Sequence, residues 1–140
     1  MEDIADRSAI SEQGIDLVRA LFDASARDDL AAYLALVTQD AEFDFSVVDR
    51  PYSGVYRGHE QIEKLYRRLD DPWRKKEFEL ENPVALPDGI IVDVARTART
   101  VAGLRLESRA TAIFRIQNRK LAAVKVFESR SQALKAAHLR

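Results

Sequence analysis

The feature that most constrains this chain is a change of hydrophobic period near Trp73. Before it, apolar residues recur at helical spacing; after it, they alternate every second residue, as in strands. Helices followed by strands make an α+β arrangement. The strand half is punctuated by Pro87-Asp88-Gly89, Ala102-Gly103 and Gln117-Asn118-Arg119. Turns this short join antiparallel neighbours. Residues 76–81, 90–101, 104–117 and 121–128 are therefore expected to form four antiparallel strands.

The helical half contains three patterns. Ser11 is placed to cap the first, whose stripe is Ile15, Val18, Leu21, Phe22 and Ser25 and which should end near Arg27. Asp28 can cap a short second helix with Leu30, Tyr33, Leu34 and Val37 on one face. The third begins after Gly58 and carries Ile62, Leu65, Tyr66 and Leu69. A short strand at residues 42–47 alternates Phe43 and Phe45 with polar groups, and Pro51 and Gly54 mark residues 49–56 as loop. A terminal helical turn or tail follows Ser131. The strands must bury one face, and the three amphipathic helices are its cover. Long twisted strands curve. A curved sheet under helices encloses a concavity suited to a small molecule.

The chain has 140 residues, the size of one domain, and nothing divides residues 1–140. Residues 1–10 read as an N-terminal arm and 131–140 as a tail. Lys+Arg 22 against Asp+Glu 23 give a net charge of -1, with no general pull toward nucleic acid or an anionic membrane. The absence of cysteine excludes disulfides and thiolate chemistry. No apolar run reaches the roughly 20 residues of a membrane helix. The acidic start, Met1-Glu2-Asp3, does not resemble a signal peptide. A cytoplasmic protein without cofactor or metal is the expectation, since no His/Asp/Glu spacing resembles a metal site.

Several segments in order carry a family resemblance: Asp28-Asp29-Leu30, Asp40-Ala41-Glu42-Phe43, Tyr56-Arg57-Gly58-His59-Glu60-Gln61-Ile62, Trp73, and the ending from Glu128 to Ala136. Together they resemble the SnoaL-like group of the nuclear transport factor two-like superfamily, from about Glu12 to Leu139. The resemblance implies a cone of three helices on a strongly bent sheet, usually a homodimer. It does not imply one function, because such folds host isomerases, dehydratases, hydrolases, cyclases and proteins that only bind.

Ketosteroid isomerases of this superfamily need a carboxylate base, a tyrosine and a protonated acid. Aligned on the segments above, the tyrosine falls on Leu21, the acid on Ala112, and the base near Asp44, Phe45 or Asp49. Two of the three groups are missing. The dehydratases' histidine pairs and the cyclases' strand histidine are missing too, since His59 and His138 are the only histidines.

Asp44 is the candidate catalytic base, a carboxylate between Phe43 and Phe45 whose pKa an apolar wall would raise. The alternative is that the two rings point inward and Asp44 outward; period two does not choose. Arg96 and Arg109 are candidate anion holders if their strand face is concave, with Asp93 and Glu107 on the same face; otherwise these are surface pairs. Tyr56 and Trp73 flank the third helix and can reach a pocket rim, whereas Tyr33 reads as core. His59 starts that helix and is more often exposed than catalytic at such a place. The match of Glu128 and Arg130 to the family's ending implies that they tie the tail to the sheet. Arg74-Lys75-Lys76, balanced by Glu77, Glu79 and Glu81, reads as a solvated strand start. The expected ligand is small, hydrophobic or of mixed polarity. The function is either acid–base chemistry of the isomerase, cyclase or dehydratase type, or non-catalytic binding in a dimeric module.

Overall fold

The computed structural model describes residues 4–48, 53–70, 73–100 and 102–137. The first helix, α1, spans Ile4–Ala26, and a short α2 spans Leu30–Ala35. Strand β1 (Val37–Asp44) and the short β2 (Val55–Arg57) lead to α3 (Gly58–Asp70). Four long strands follow: β3 (Trp73–Leu86), β4 (Gly89–Thr100), β5 (Arg105–Gln117) and β6 (Lys120–Phe127). A last helix, α4, covers Arg130–Ala136. The fold is α+β, as the change of period requires.

Three local readings are corrected. The first helix runs back through Ser11 to Ile4, so Ser11 is not its cap and residues 4–10 are helix rather than arm; no proline or glycine interrupts those residues. The cap of α2 is Asp29, whose carboxylate accepts from Ala32 N at 3.1 Å. Asp28 stands one residue earlier, at φ 57, and turns the chain. Residues 55–57 are strand, not loop, because Tyr56 pairs with Phe43 across β1.

The six strands form one sheet in the order β2-β1-β6-β5-β4-β3. The expected antiparallel ladder runs from β3 to β6, and β1 joins β6 in parallel. Asn118 and Arg119 close the β5–β6 hairpin at φ 53 and 64, the left-handed geometry of a tight hairpin turn.

Both sheet faces are covered, by different elements. On the inner face, Val18 and Leu21 of α1 and Ile62 and Leu65 of α3 pack on Ile90, Val92, Phe114 and Leu121. Full burial of a ring such as Phe114 stabilises the fold by up to about 3 kcal/mol. On the outer face, Ala133 of α4 packs with Leu86, Ile91, Ile113 and Phe127.

Strand β3 serves both faces. Its register against β4 shifts between Glu81 and Val84, with Asn82 at φ 53. Phe78 and Leu80 therefore join the inner side, and Val84 and Leu86 the outer cluster. A β-bulge reverses facing in this way.

Arg130 fastens α4 at this bulge. Its Nη1 donates to Asn82 O at 3.1 Å and to Asp93 Oδ1 at 3.0 Å. Thr111 Oγ1 and Asn82 Nδ2 also donate to Asp93, at 2.8 and 2.9 Å. The tail is tied to the sheet as the sequence suggested. Burial alone would push the Asp93 carboxyl up, but the bonds from Asn82, Thr111 and Arg130 outweigh it and hold it below 3.8. A lowered native value means stability that is present above 3.8 and lost as pH falls through the native value. Asp93→Asn should therefore cost about 1 kcal/mol near neutral pH. Urea unfolding of both proteins should show that deficit shrink between about pH 6 and about pH 3.

Candidate functional site

Under the helices, the inner face encloses a cavity of about 170 Å³. That is close to an engineered cavity of roughly 150 Å³ that accepts benzene. Alternation along each strand selects the sheet's contribution: Phe43 from β1 with Phe45 just after its end, Phe78 from β3, Val94 and Arg96 from β4, Ser108, Ala110, Ala112 and Phe114 from β5, and Val124 and Val126 from β6. The helices add Leu21, Phe22 and Ser25 of α1, Tyr33 of α2, and Leu65 and Tyr66 of α3.

One end of the cavity is aromatic. Phe22 lies 4.6 Å from Phe78 and 6.2 Å, edge to face, from Phe114, measured between ring centroids. These contacts also dock α1 on the sheet. Tyr33 and Tyr66 form a second edge-to-face pair at 4.9 Å. Ser108 is exposed, so the cavity meets solvent on its side.

The polar lining is a set of hydrogen-bond donors. Lys76, only 7% exposed, extends its Nζ to 3.4 Å from Ser25 Oγ and 5.3 Å from the centroid of the Tyr66 ring. Burial lowers its pKa from 10.5, the charge of Asp28 opposes this, and the nearby Arg96 adds to it. Tyr66 donates to Asp28 Oδ1 at 3.3 Å. Burial, then the charge of Asp28 and that bond, push its phenol up to about 12. Burial, then Tyr66, push the Tyr33 phenol above its ordinary range. Both phenols are therefore protonated donors near neutral pH. Among the described residues, the lining includes no carboxylate and no histidine. Such a lining can hold a ligand's carbonyl or anionic oxygen, and offers no carboxylate base.

The sequence candidates fall in different places. Arg96 lines the cavity. Arg109 does not share its face: Arg96 pairs with Ser108, and Arg109 with Ala95, one step out of phase. Arg109 borders the cavity, but its guanidinium meets Glu81 at 3.0 Å on the outer side. Asp93 also lies on the outer face, bonded to Arg130.

Asp44 does not line the cavity, because Phe43 and Phe45 take the inward positions. Its Oδ2 stands 3.8 Å from Lys125 Nζ, and its Oδ1 accepts from Ser46 N and Oγ at 2.9 and 2.6 Å. Burial raises its pKa, but the two Ser46 bonds and Lys125 more than offset this and hold it below 3.8. A strongly ionised carboxylate is a weak base.

Tyr56 also lies outside the cavity. Its ring stands edge to face with Phe45 at 6.5 Å, and it lines a shallow surface groove with Gln61, Lys64, Arg67 and Arg68. His59 lies outside as well, its Nε2 donating to Val37 O at 2.9 Å, which ties α3 to β1. The Trp73 side chain, Asp49 and His138 lie outside the described residues.

Ser25, Tyr66 and Ser108 were not singled out from the sequence as pocket groups; Tyr33 was read as core, and the reading of Lys76 as part of a solvated strand start is corrected, since it is buried and lines the cavity. A signal for Lys76 was present: it stands two residues before Phe78 and four before Leu80, on the same alternating row.

Fold and cavity define a class: a curved-sheet α+β protein with a small-molecule pocket roofed by helices. The chain belongs to the SnoaL-like domain family, whose model matches residues 18–124. A search of curated protein sequences finds no match. Among solved structures, a putative SnoaL-like polyketide cyclase from Jannaschia sp. CCS1 is 19% identical, with a TM-score of 0.71, over 98% of this chain and 96% of that one. RV0760c from Mycobacterium tuberculosis, in complex with estradiol-17beta-hemisuccinate, is 13% identical, with a TM-score of 0.71, over 85% and 95%. TerC, co-crystallized with polyporic acid, is 12% identical, with a TM-score of 0.70, over 90% and 98%. At these identities the likeness is one of fold. No helix among the described residues is long and apolar enough to cross a membrane, and no metal-binding cluster occurs among them.

The buried amine makes stability depend on alkaline pH. A lysine pKa lowered in the native state means that the unfolded chain binds more protons between that value and 10.5. Native stability therefore rises with pH across this window. Lys76→Met removes the titrating group at similar volume. Wild type should gain stability relative to Lys76→Met as pH rises from about 7 to about 10, read by paired thermal melts.

Proposed function

We propose that this protein binds a small ligand with a body of about one aromatic ring and an acidic or carbonyl oxygen. One observation carries the reading: Phe22, Phe78 and Phe114 wall one part of a cavity whose polar lining is Lys76, Arg96, Ser25, Ser108 and two protonated tyrosines. The rings supply apolar contact, and the cations and hydroxyls receive the oxygen. The ligands in the RV0760c and TerC structures support use of this fold for ring-bearing molecules.

Benzoate and benzyl alcohol separate the two parts of this reading. Both offer the ring, and only benzoate carries a charge for Lys76 and Arg96. Titration calorimetry should give benzoate about tenfold the affinity of benzyl alcohol, the worth of one charge-assisted hydrogen bond. Lys76→Met should remove most of that preference and leave benzyl alcohol binding. No binding of either compound would defeat the proposal.

Pairing of two copies belongs to the same proposal. The supporting surface is the part of the outer face beyond α4, where Ala95, Thr97 and Ala123 are only partly buried. Sedimentation at micromolar concentration should show a dimer, and a monomer there removes the pairing.

A further inference from the structure

We propose that Lys76 captures its ligand covalently, as an imine formed with an aldehyde or small ketone held in the cavity. This rests on the small-molecule reading above and adds the ligand's chemical class. The placement of the amine carries it. A lysine on a strand ordinarily runs its stem along the surface and ends in water. Lys76 instead stands on the inner row of β3 beside Phe78, and its amine ends against Ser25 Oγ and the Tyr66 ring.

Among the described residues, the groups around the amine include Ser25 of α1, Asp28 in the turn after it, Tyr33 of α2, Tyr66 of α3 and Arg96 of β4. Burial and Arg96 favour the neutral amine, and Asp28 favours the ammonium. Desolvation in an apolar pocket and a neighbouring cation are the two ways a lysine is made nucleophilic toward a carbonyl.

The step balances without an oxidant or reductant. The nitrogen lone pair forms a bond to the carbonyl carbon, and the carbonyl π pair moves onto oxygen. A proton passes from nitrogen to that oxygen, giving a carbinolamine. The nitrogen lone pair then expels the hydroxyl, which leaves as water with a second proton, and loss of the last N–H proton yields the neutral imine. Ser25, whose hydroxyl lies 3.4 Å from the nitrogen, is placed to pass the proton, and the Tyr33 phenol can donate to the developing oxyanion.

The full-length protein, benzaldehyde and sodium cyanoborohydride test this near neutral pH. The hydride traps any imine as a stable benzylamine, located by peptide mass mapping. The adduct should form at Lys76 about tenfold faster than at the exposed Lys64, Lys120, Lys125 or Lys135, as expected of an amine with a larger neutral fraction. Excess benzoate should suppress it. Lys76→Arg, which keeps the charge and lacks a nucleophilic amine, should lose the adduct and melt cooperatively.

Labelling at Lys76 no faster than at the exposed lysines overturns the proposal. If benzoate still binds that preparation, only the covalent step falls. If neither probe binds nor labels selectively, the pocket reading falls with it.

Discussion

The site depends on one choice of face, propagated through the antiparallel ladder. From β3 to β6 the registers pair Phe78 with Arg96, Arg96 with Ser108, and Phe114 with Val124. Each hydrogen-bonded pair points the same way, so the facing of one strand settles its neighbours. A slip of one residue would carry Asp93, Glu107 and Arg109 under the helices and send Val94, Ala110 and Ala112 outward. Uncompensated burial of those charges costs several kcal/mol each. The apolar faces of α1 and α3 accept only one of the two arrangements, and that arrangement places Arg96 and Lys76 inside.

The bulge at Asn82 lets this single ladder hold two clusters. Lys76, Phe78 and Leu80 of β3 face inward, and beyond the bulge Val84 and Leu86 face α4. Without the extra residue, Val84 and Leu86 would continue inward and the outer cluster would lose their cover. Arg130 bonds both the bulge carbonyl and Asp93, so α4 is fixed where the facing reverses. The tail thereby buttresses the strand that carries Lys76, although none of its described residues lines the cavity.

How much was legible in the sequence follows from what period two can and cannot encode. It gives the strands, their order and the alternating rows, since each row needs only apolar spacing. It is symmetric between faces, so Asp44 could be read inward until Phe43 and Phe45 took those positions. It also says nothing of phase between strands, and Arg96 and Arg109 therefore looked like one face. Residues 55–57 form a strand only because β1 offers an edge, a tertiary cause no local pattern carries. Lys76 was hidden by its charged neighbours Arg74, Lys75 and Glu77, although Phe78 and Leu80 already marked its row.

The alignment to isomerase relatives acquires a physical meaning in this geometry. Leu21 and Ala112, the positions on which the sequence reading placed the isomerases' tyrosine and protonated acid, line the cavity. Those positions are thus interior and have been given to apolar contact. The polar groups of this cavity stand elsewhere: Lys76 on β3, Arg96 on β4, and Tyr33 and Tyr66 on the helices. The change is one of sign as well as place. A carboxylate in such a cavity withdraws protons and repels anions, whereas an ammonium, a guanidinium and two protonated phenols gather electron density on a ligand oxygen. Asp44 is on the other face and tied to Lys125, and no carboxylate stands among the described lining residues; Asp28 acts on Lys76 and Tyr66 from the turn after α1. Burying a lysine there costs the hydration of its charge. That cost is recovered when a bound anion pairs with the ammonium, or avoided when the amine is neutral and bonds to carbon. In either case the proposed chemistry of this pocket starts from the amine of Lys76.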